Sequence, residues 1–158
     1  MFFVCTDTFA VVRSRDTMPR ETPPTETPMN TCILEQRPPV DSGLPGLKHS
    51  TWAGSEHGLA GLSIWRQSIA PGAATPPHRH ACDEAVVCLA GEGTLVIGGA
   101  QHRFGGGQTI VVPGDVEHQI VNTGAQPLEI VAALAAAPVA VTLPDGSALP
   151  LPWQARGG

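Results

Sequence analysis

The chain has 158 residues, a length that suits one domain, and 42% of them are hydrophobic, ample for a core. Its net charge is −5 at pH 7, with 9 Lys and Arg against 14 Asp and Glu. There is no basic stripe and no run of like charges, so nucleic acid and anionic membrane are poor partners and a small molecule is the expected one. The 18 glycines and 16 prolines break the chain too often for long helices and favour many short strands.

Residues 1–46 read as a leader, with the Pro/Thr/Glu tract RETPPTETPMN and no sustained apolar period, and are expected to be disordered. The opening MFFVCTDTFAVV is too short and too polar for a membrane span, and no basic region precedes it as in an export signal. Met18 and Met29 each precede plausible starts. Cys5 and Cys32 lie in this leader while Cys82 and Cys88 lie far downstream, too irregular for a disulfide framework. A reducing, cytoplasmic setting is expected.

From residue 47 the pattern changes to strands. Leu47 to Trp52 and Leu59 to Ala70 supply the first two, and LSIWRQSIA alternates well enough to be half buried. Either Trp65 and Gln67 or Ile64 and Arg66 face inward; parity alone does not choose. Pro71 and Gly72 turn into a stretch carrying His78 and His80, two apart, so that on extended chain both imidazoles share a face and Arg79 turns away. Glu84 keeps that parity and opens a strand to Ala90, with Val86 and Cys88 on the same side. Cys88 reads as a small buried hydrophobe and Cys82 as a loop cysteine beside the histidines.

Thr94 to Ile97 and Gln101 to Phe104 pair across the Gly98-Gly99 hairpin signal, where His102 is expected to be exposed. Gln108 to Val112 follows, then the turn at Pro113 and Gly114, then His118 to Asn122, with Ile120 on the His118 face. Leu128 to Ala133 and Val139 to Leu143 complete the strands. Ala132 to Ala137 has helix propensity but continues a strand-like run. The tail LPDGSALPLPW turns at Asp145-Gly146 and is expected to lay Leu149, Leu151 and Trp153 along the outside of the barrel, with Trp153 packing rather than touching substrate.

Two imidazoles and a carboxylate on one face, with His118 as a fourth donor, make a coordination sphere for a divalent first-row metal. The two stretches resemble the two motifs of the cupin superfamily. Gly72, His78, His80, Glu84 and Gly91 match the first, and Gly107, Pro113, His118 and Asn122 the second. Asp115 departs, standing where the second motif usually has glycine; Asp tolerates left-handed backbone, and Gly114 can share the bend. The resemblance covers roughly Leu47 to Val141.

It implies an all-β, double-stranded β-helix or jelly-roll barrel over residues 47–158, of the small single-domain type, with His78, His80, Glu84 and His118 as metal ligands. Val86, Cys88, Ile120, Trp65 and Gln67 are then the expected cavity lining. It also implies Fe foremost, or Mn, Ni, Cu or Zn, and a homodimer. The first functional expectation is a dioxygenase-like, metal-dependent oxidoreductase acting on a small organic substrate. A non-catalytic ligand- or metal-binding barrel is the alternative. Isomerase or lyase chemistry, with Glu84 leaving the metal transiently to act as base, is a weaker third, because no separate base is visible.

Overall fold

The structure, a computed structural model, describes residues 33–154. Strands with a period of two dominate it: β1 (Val40–Asp41), β2 (Leu47–Ala53), β3 (Ser63–Ile69), β4 (Glu84–Ala90), β5 (Glu92–Ile97), β6 (Ala100–Gly105), β7 (Thr109–Val112), β8 (His118–Asn122) and β9 (Leu128–Leu134). The helical structure among the described residues is one 3-10 turn, Ser55–His57. No helix there is long and apolar enough to cross a membrane. All pairings are antiparallel, in a six-stranded sheet ordered β1-β2-β3-β9-β4-β7 and a three-stranded sheet ordered β6-β5-β8. This is the all-β double-stranded β-helix read from the sequence.

Alternation along the central strands builds the core. β3 buries Ser63, Trp65, Gln67 and Ile69, β9 buries Leu128, Ile130, Ala132 and Leu134, and β4 buries Glu84, Val86 and Cys88. Trp65 and Gln67 are thus the inward pair. Ile64 and Arg66 face out, where Arg66 pairs with Glu129 on the adjacent β9. Burying side chains as complete as Leu134, Ile69 and Val86 contributes about 1.5–3 kcal/mol each.

The segment before β4 runs beside β8 without becoming a regular strand. Ala74 bridges Val121 and His78 bridges His118, with His78 and His118 exchanging backbone bonds of 3.0 and 2.9 Å. Pro76 and Pro77 lack the N–H groups a continuous ladder needs. Thr75 mends the gap, its hydroxyl accepting from the Ile120 N–H and its carbonyl from the Gln119 side chain.

Three expectations are corrected here. The folded region begins before Leu47, because Val40 and Asp41 pair with His49 and Lys48; the rest of the expected leader, residues 1–32, lies outside the described residues. Val139 to Leu143 is not a strand. It pairs at Thr142 alone, bridging Arg79 and Ala148, because the chain opposite turns away after His80, whose carbonyl is taken by the Asp115 N–H, into the loop that leads to β4. The tail does not simply lie outside: Leu151 is buried in the core, and Trp153 stacks on the buried ring of His49 with centroids 3.9 Å apart. Trp153 packs, as expected.

Asn122 fastens the barrel where β8 ends. Its amide donates to the carbonyls of Ile69 (2.8 Å) and Gln126 (2.9 Å), its side-chain oxygen accepts from the Gly124 N–H, and it is 1% exposed. Asn122→Ala leaves those groups unpaired and is expected to cost about 3 kcal/mol, read as a lower urea midpoint with unchanged slope. A loss below about 1 kcal/mol would contradict the assigned role.

Candidate metal centre

The pairing of His78 with His118, and the return of the chain into β4, bring three imidazoles together, with Glu84 beside two of them. The ring nitrogens of His78, His80 and His118 can be chosen so that all lie within 4.8 Å of one another. Glu84 Oε2 lies 3.1 Å from His80 Nε2 and 3.2 Å from His118 Nε2. His80, Glu84 and His118 are buried and His78 is partly exposed, with Arg79 turned outward. All four residues read from the sequence as ligands are therefore neighbours.

Each histidine is oriented from behind in the same way. Nδ1 of His78 meets the Pro76 carbonyl at 2.8 Å, Nδ1 of His80 the Cys82 carbonyl at 2.8 Å, and Nδ1 of His118 the Val116 carbonyl at 3.0 Å. A carbonyl only accepts, so each Nδ1 carries the hydrogen and, in the neutral ring, each Nε2 is left as a lone pair. This is how metal-bound imidazoles are held. His118 Nε2 is buried and, although near Glu84, finds no hydrogen-bond partner.

Protonation follows from the same contacts. Burial, then the neighbouring His118, pushes the His78 pKa down to about 4 against the pull of the Pro76 carbonyl and Glu84. Burial opposes charge on His80 too, but its hydrogen bond and attraction to Glu84 prevail and raise its pKa. Glu84 is itself disfavoured as an anion by burial, yet contact with His118 and His80 brings it down to about 2. Without a cation, the carboxylate stays ionised, and His80 holds a proton more readily than His78.

The spacing of Glu84 from His80 and from His118 fits a divalent transition ion. Bonds of about 2.1 Å put neighbouring ligand atoms about 3.0 Å apart in an octahedron and about 3.4 Å in a tetrahedron, which brackets the two Glu84 separations. Three imidazoles and one carboxylate leave positions open in a five- or six-coordinate ion. Cys82 is not part of the set. Its Sγ lies 3.8 Å from His80 Nδ1, on the side of the ring facing away from the convergence point, and burial raises its pKa.

Strand register places the expected lining residues. Glu84 is level with Leu134 and Ser63, Val86 with Ala132 and Trp65, and Cys88 with Ile130 and Gln67. Val86, Trp65 and Ile120 are buried apolar side chains next to the ligand level, while Cys88 and Gln67 sit one layer deeper. Gln67 Nε2 lies 3.4 Å from His49 Nδ1, and His49 Nε2 meets Thr51 Oγ1 at 3.0 Å. His49, edge-on to Trp65 and beneath Trp153, has no assigned role from the sequence. Its parity with buried Leu47, across exposed Lys48, is the signal that would have placed it inside. His57 and His102 are exposed. A cleft of about 810 Å³ opens between residues 33–42, β2 and Trp153, and none of the four converging side chains lines it.

Together the fold and the site define a small cupin barrel with a histidine-rich centre at its mouth. Comparison with known proteins narrows this. A family profile described as auxin binding protein matches residues 26–155, and the chain belongs to that family. The Auxin-binding protein 1 of Arabidopsis thaliana is 36% identical over 118 residues, covering 68% of this chain and 60% of its own. The chain thus spans about 60% of the length of that relative. Among solved structures, a Cupin 2 conserved barrel domain protein from Salinispora arenicola superposes with a TM-score of 0.55 at 24% identity, covering 65% of this chain and 88% of that one. An oxalate oxidase superposes at 0.57 and 22%, covering 68% and 60%. Both likenesses concern the fold.

Burial lowers the His49 pKa to about 3. A depressed histidine is neutral when folded and charges more readily when unfolded, so its contribution is intact above about pH 6.5 and drains away as pH falls towards 3. His78, whose pKa is lowered to about 4, adds to the same slope. The metal-free protein should lose urea resistance from pH 7 to 4, and His49→Leu should flatten that slope. An equal slope in both proteins would show that His49 is not buried neutral.

Proposed function

We infer that this chain is a metal-dependent binding protein for a small organic carboxylate, held with its acid group on the ion and its apolar body against Val86, Ile120 and Trp65. The reading rests on the three Nδ1-to-carbonyl contacts, which leave three clustered imidazoles with free Nε2 lone pairs, two of them beside the Glu84 carboxylate. A divalent ion with three neutral imidazoles and one carboxylate keeps one net positive charge. A single carboxylate neutralises it at an open position, and an apolar surround strengthens that attraction. The relatives are named for binding auxin, and a small organic acid of that kind meets both demands.

The ion supplies Lewis acidity and, where redox-active, electron transfer; the chain holds it through His78, His80, Glu84 and His118 and shields it with apolar walls. Iron remains the first choice, ahead of Mn, Ni, Cu or Zn, for the second reading, a dioxygenase-like oxidoreductase. The open coordination positions favour that reading. Against catalysis stands the supply of proton-transfer groups: Glu84 is the one buried carboxylate at the centre, and its low pKa makes it a weak base. The same shortage counts against isomerase or lyase chemistry.

The test begins with elemental analysis of untagged protein beside His78→Ala/His118→Ala. About one transition ion per chain, absent from the double variant, is expected. Calorimetry with indole-3-acetate should then show binding to the loaded protein and none after chelation. Failure to take up any metal on reconstitution would overturn the reading, and oxygen consumption with a bound acid would move it to the oxidoreductase.

A homodimer, the arrangement expected of small cupins, finds support on the outer face of the six-stranded sheet. Val87, Leu89 and Val111 are 40%, 50% and 70% exposed there, and β7 is an edge strand. Val111→Lys should shift a size-exclusion dimer to monomer. A wild-type protein that elutes as a monomer throughout the micromolar range would remove the dimer.

A further inference from the structure

The two halves of the centre come from loops far apart in the chain. His80 and Glu84 flank the loop Ala81 to Asp83, and His118 follows the turn Pro113 to Asp115. Those loops are fastened to each other directly. The Gly114 N–H donates to Asp83 Oδ1 at 2.9 Å across 31 residues of sequence. The Asp115 N–H donates to the carbonyl of His80 itself at 2.8 Å. Gly114 sits so close that a Cβ there would lie 2.8 Å from the Ala81 carbonyl oxygen. Asp83 is tied in turn to the end of β9, its own carbonyl accepting from the Ala135 N–H at 3.0 Å.

Asp83 is exposed, its carboxylate accepts from the Gly114 N–H, and it is not among the clustered donors, so it is not a ligand. Its neighbour Glu84 and the ring of His118, three residues beyond Asp115, are nonetheless the pair whose 3.2 Å separation the site needs. Metal affinity is sensitive to ligand placement at a few tenths of an ångström, and outer-shell hydrogen bonds that fix it are commonly worth tenfold to a hundredfold. We propose that Asp83 is a positioning residue of the metal centre: by accepting the Gly114 N–H, its carboxylate sets the distance between the His80–Glu84 half and the His118 half, and so sets metal affinity without touching the ion. The inference rests on the metal-binding reading above.

Two variants disturb the clasp in opposite ways. Asp83→Ala removes the acceptor, whereas Gly114→Ala drives a methyl group against the Ala81 carbonyl and pushes the turn away. Asp83→Asn keeps an oxygen at the same place without the charge. Co²⁺ alone is titrated into each chelator-treated full-length protein, with affinity from calorimetry, ligand geometry from the visible d–d bands, and the thermal midpoint of the metal-free form measured alongside. Asp83→Ala and Gly114→Ala should bind Co²⁺ roughly tenfold or more weakly with altered bands. Asp83→Asn should stay within about threefold of the wild type, and the metal-free midpoint of Asp83→Ala should barely move.

Wild-type affinity and bands in Asp83→Ala would overturn the positioning role. So would an Asp83→Asn loss as large as that of Asp83→Ala, which would assign the effect to charge. Asn122→Ala is the control for stability: if it weakens Co²⁺ binding as much as Asp83→Ala does while leaving the bands intact, the clasp acts only through folding and the proposal fails. A wild-type protein that binds no Co²⁺, Zn²⁺ or Mn²⁺ would remove the metal-binding reading itself, a result distinct from a variant that binds as the wild type does.

Discussion

The pairing of the segment Gly72 to His80 with β8 is the constraint on which the rest depends. Two backbone bonds between His78 and His118 place rings 40 residues apart in sequence on one face with centroids 4.3 Å apart. Had that segment been an uninterrupted strand, its last residues would have followed the regular ladder and carried Glu84 along the same sheet. Pro76 and Pro77 break the ladder instead. The chain then crosses at Ala81 to Asp83 into β4, which belongs to the other sheet. His78, His80 and His118 thus approach from one sheet and Glu84 from the facing one, so the ligands enclose a point rather than forming a row.

Such convergence is costly for the chain alone. Three lone pairs and an anion facing one another in a buried site repel, and burial removes the water that would screen them. Contact with Glu84 favours a proton on His80, while burial keeps His78 neutral and His118 Nε2 goes without a partner. Removing that proton and supplying a cation satisfies every group at once. Uptake of a cation at this cluster would accordingly release a proton and return part of its binding free energy as stability of the site.

Much of this is legible in the sequence, for identifiable reasons. Strand parity is a rigid rule, so His78 with His80, and Glu84 with Val86 and Cys88, could be assigned to common faces from spacing alone. Which face of β3 turned inward could not, because both Trp65 with Gln67 and Ile64 with Arg66 mix an apolar and a polar residue. The sheet packed behind the strand makes that choice, and that information is non-local. His49 was missed because a histidine inside an otherwise polar strand start, KHST, reads as surface; the partner that covers it, Trp153, lies over a hundred residues later. The strand assigned to Val139 to Leu143 failed for the opposite reason. Its local pattern is apolar enough, but pairing requires an extended partner, and the chain opposite it bends away after His80, whose carbonyl bonds the Asp115 N–H instead.

Asp115 shows how a departure from a motif can be absorbed. Its φ is 62°, the described residues' one positive φ outside glycine, in the region where the motif's usual glycine meets no penalty. An L-residue there costs on the order of 1 kcal/mol, less for Asp, whose short polar side chain suits such turns. The backbone N–H so presented reaches the His80 carbonyl at 2.8 Å, and Gly114 beside it leaves room for the Ala81 carbonyl. The turn therefore keeps its shape because its contacts are made by backbone atoms, which a side-chain change at position 115 does not remove. The same logic explains why Gly114 rather than residue 115 is the sterically demanding position of this turn: the left-handed bend tolerates aspartate, whereas the 2.8 Å approach to a carbonyl oxygen tolerates no Cβ at all.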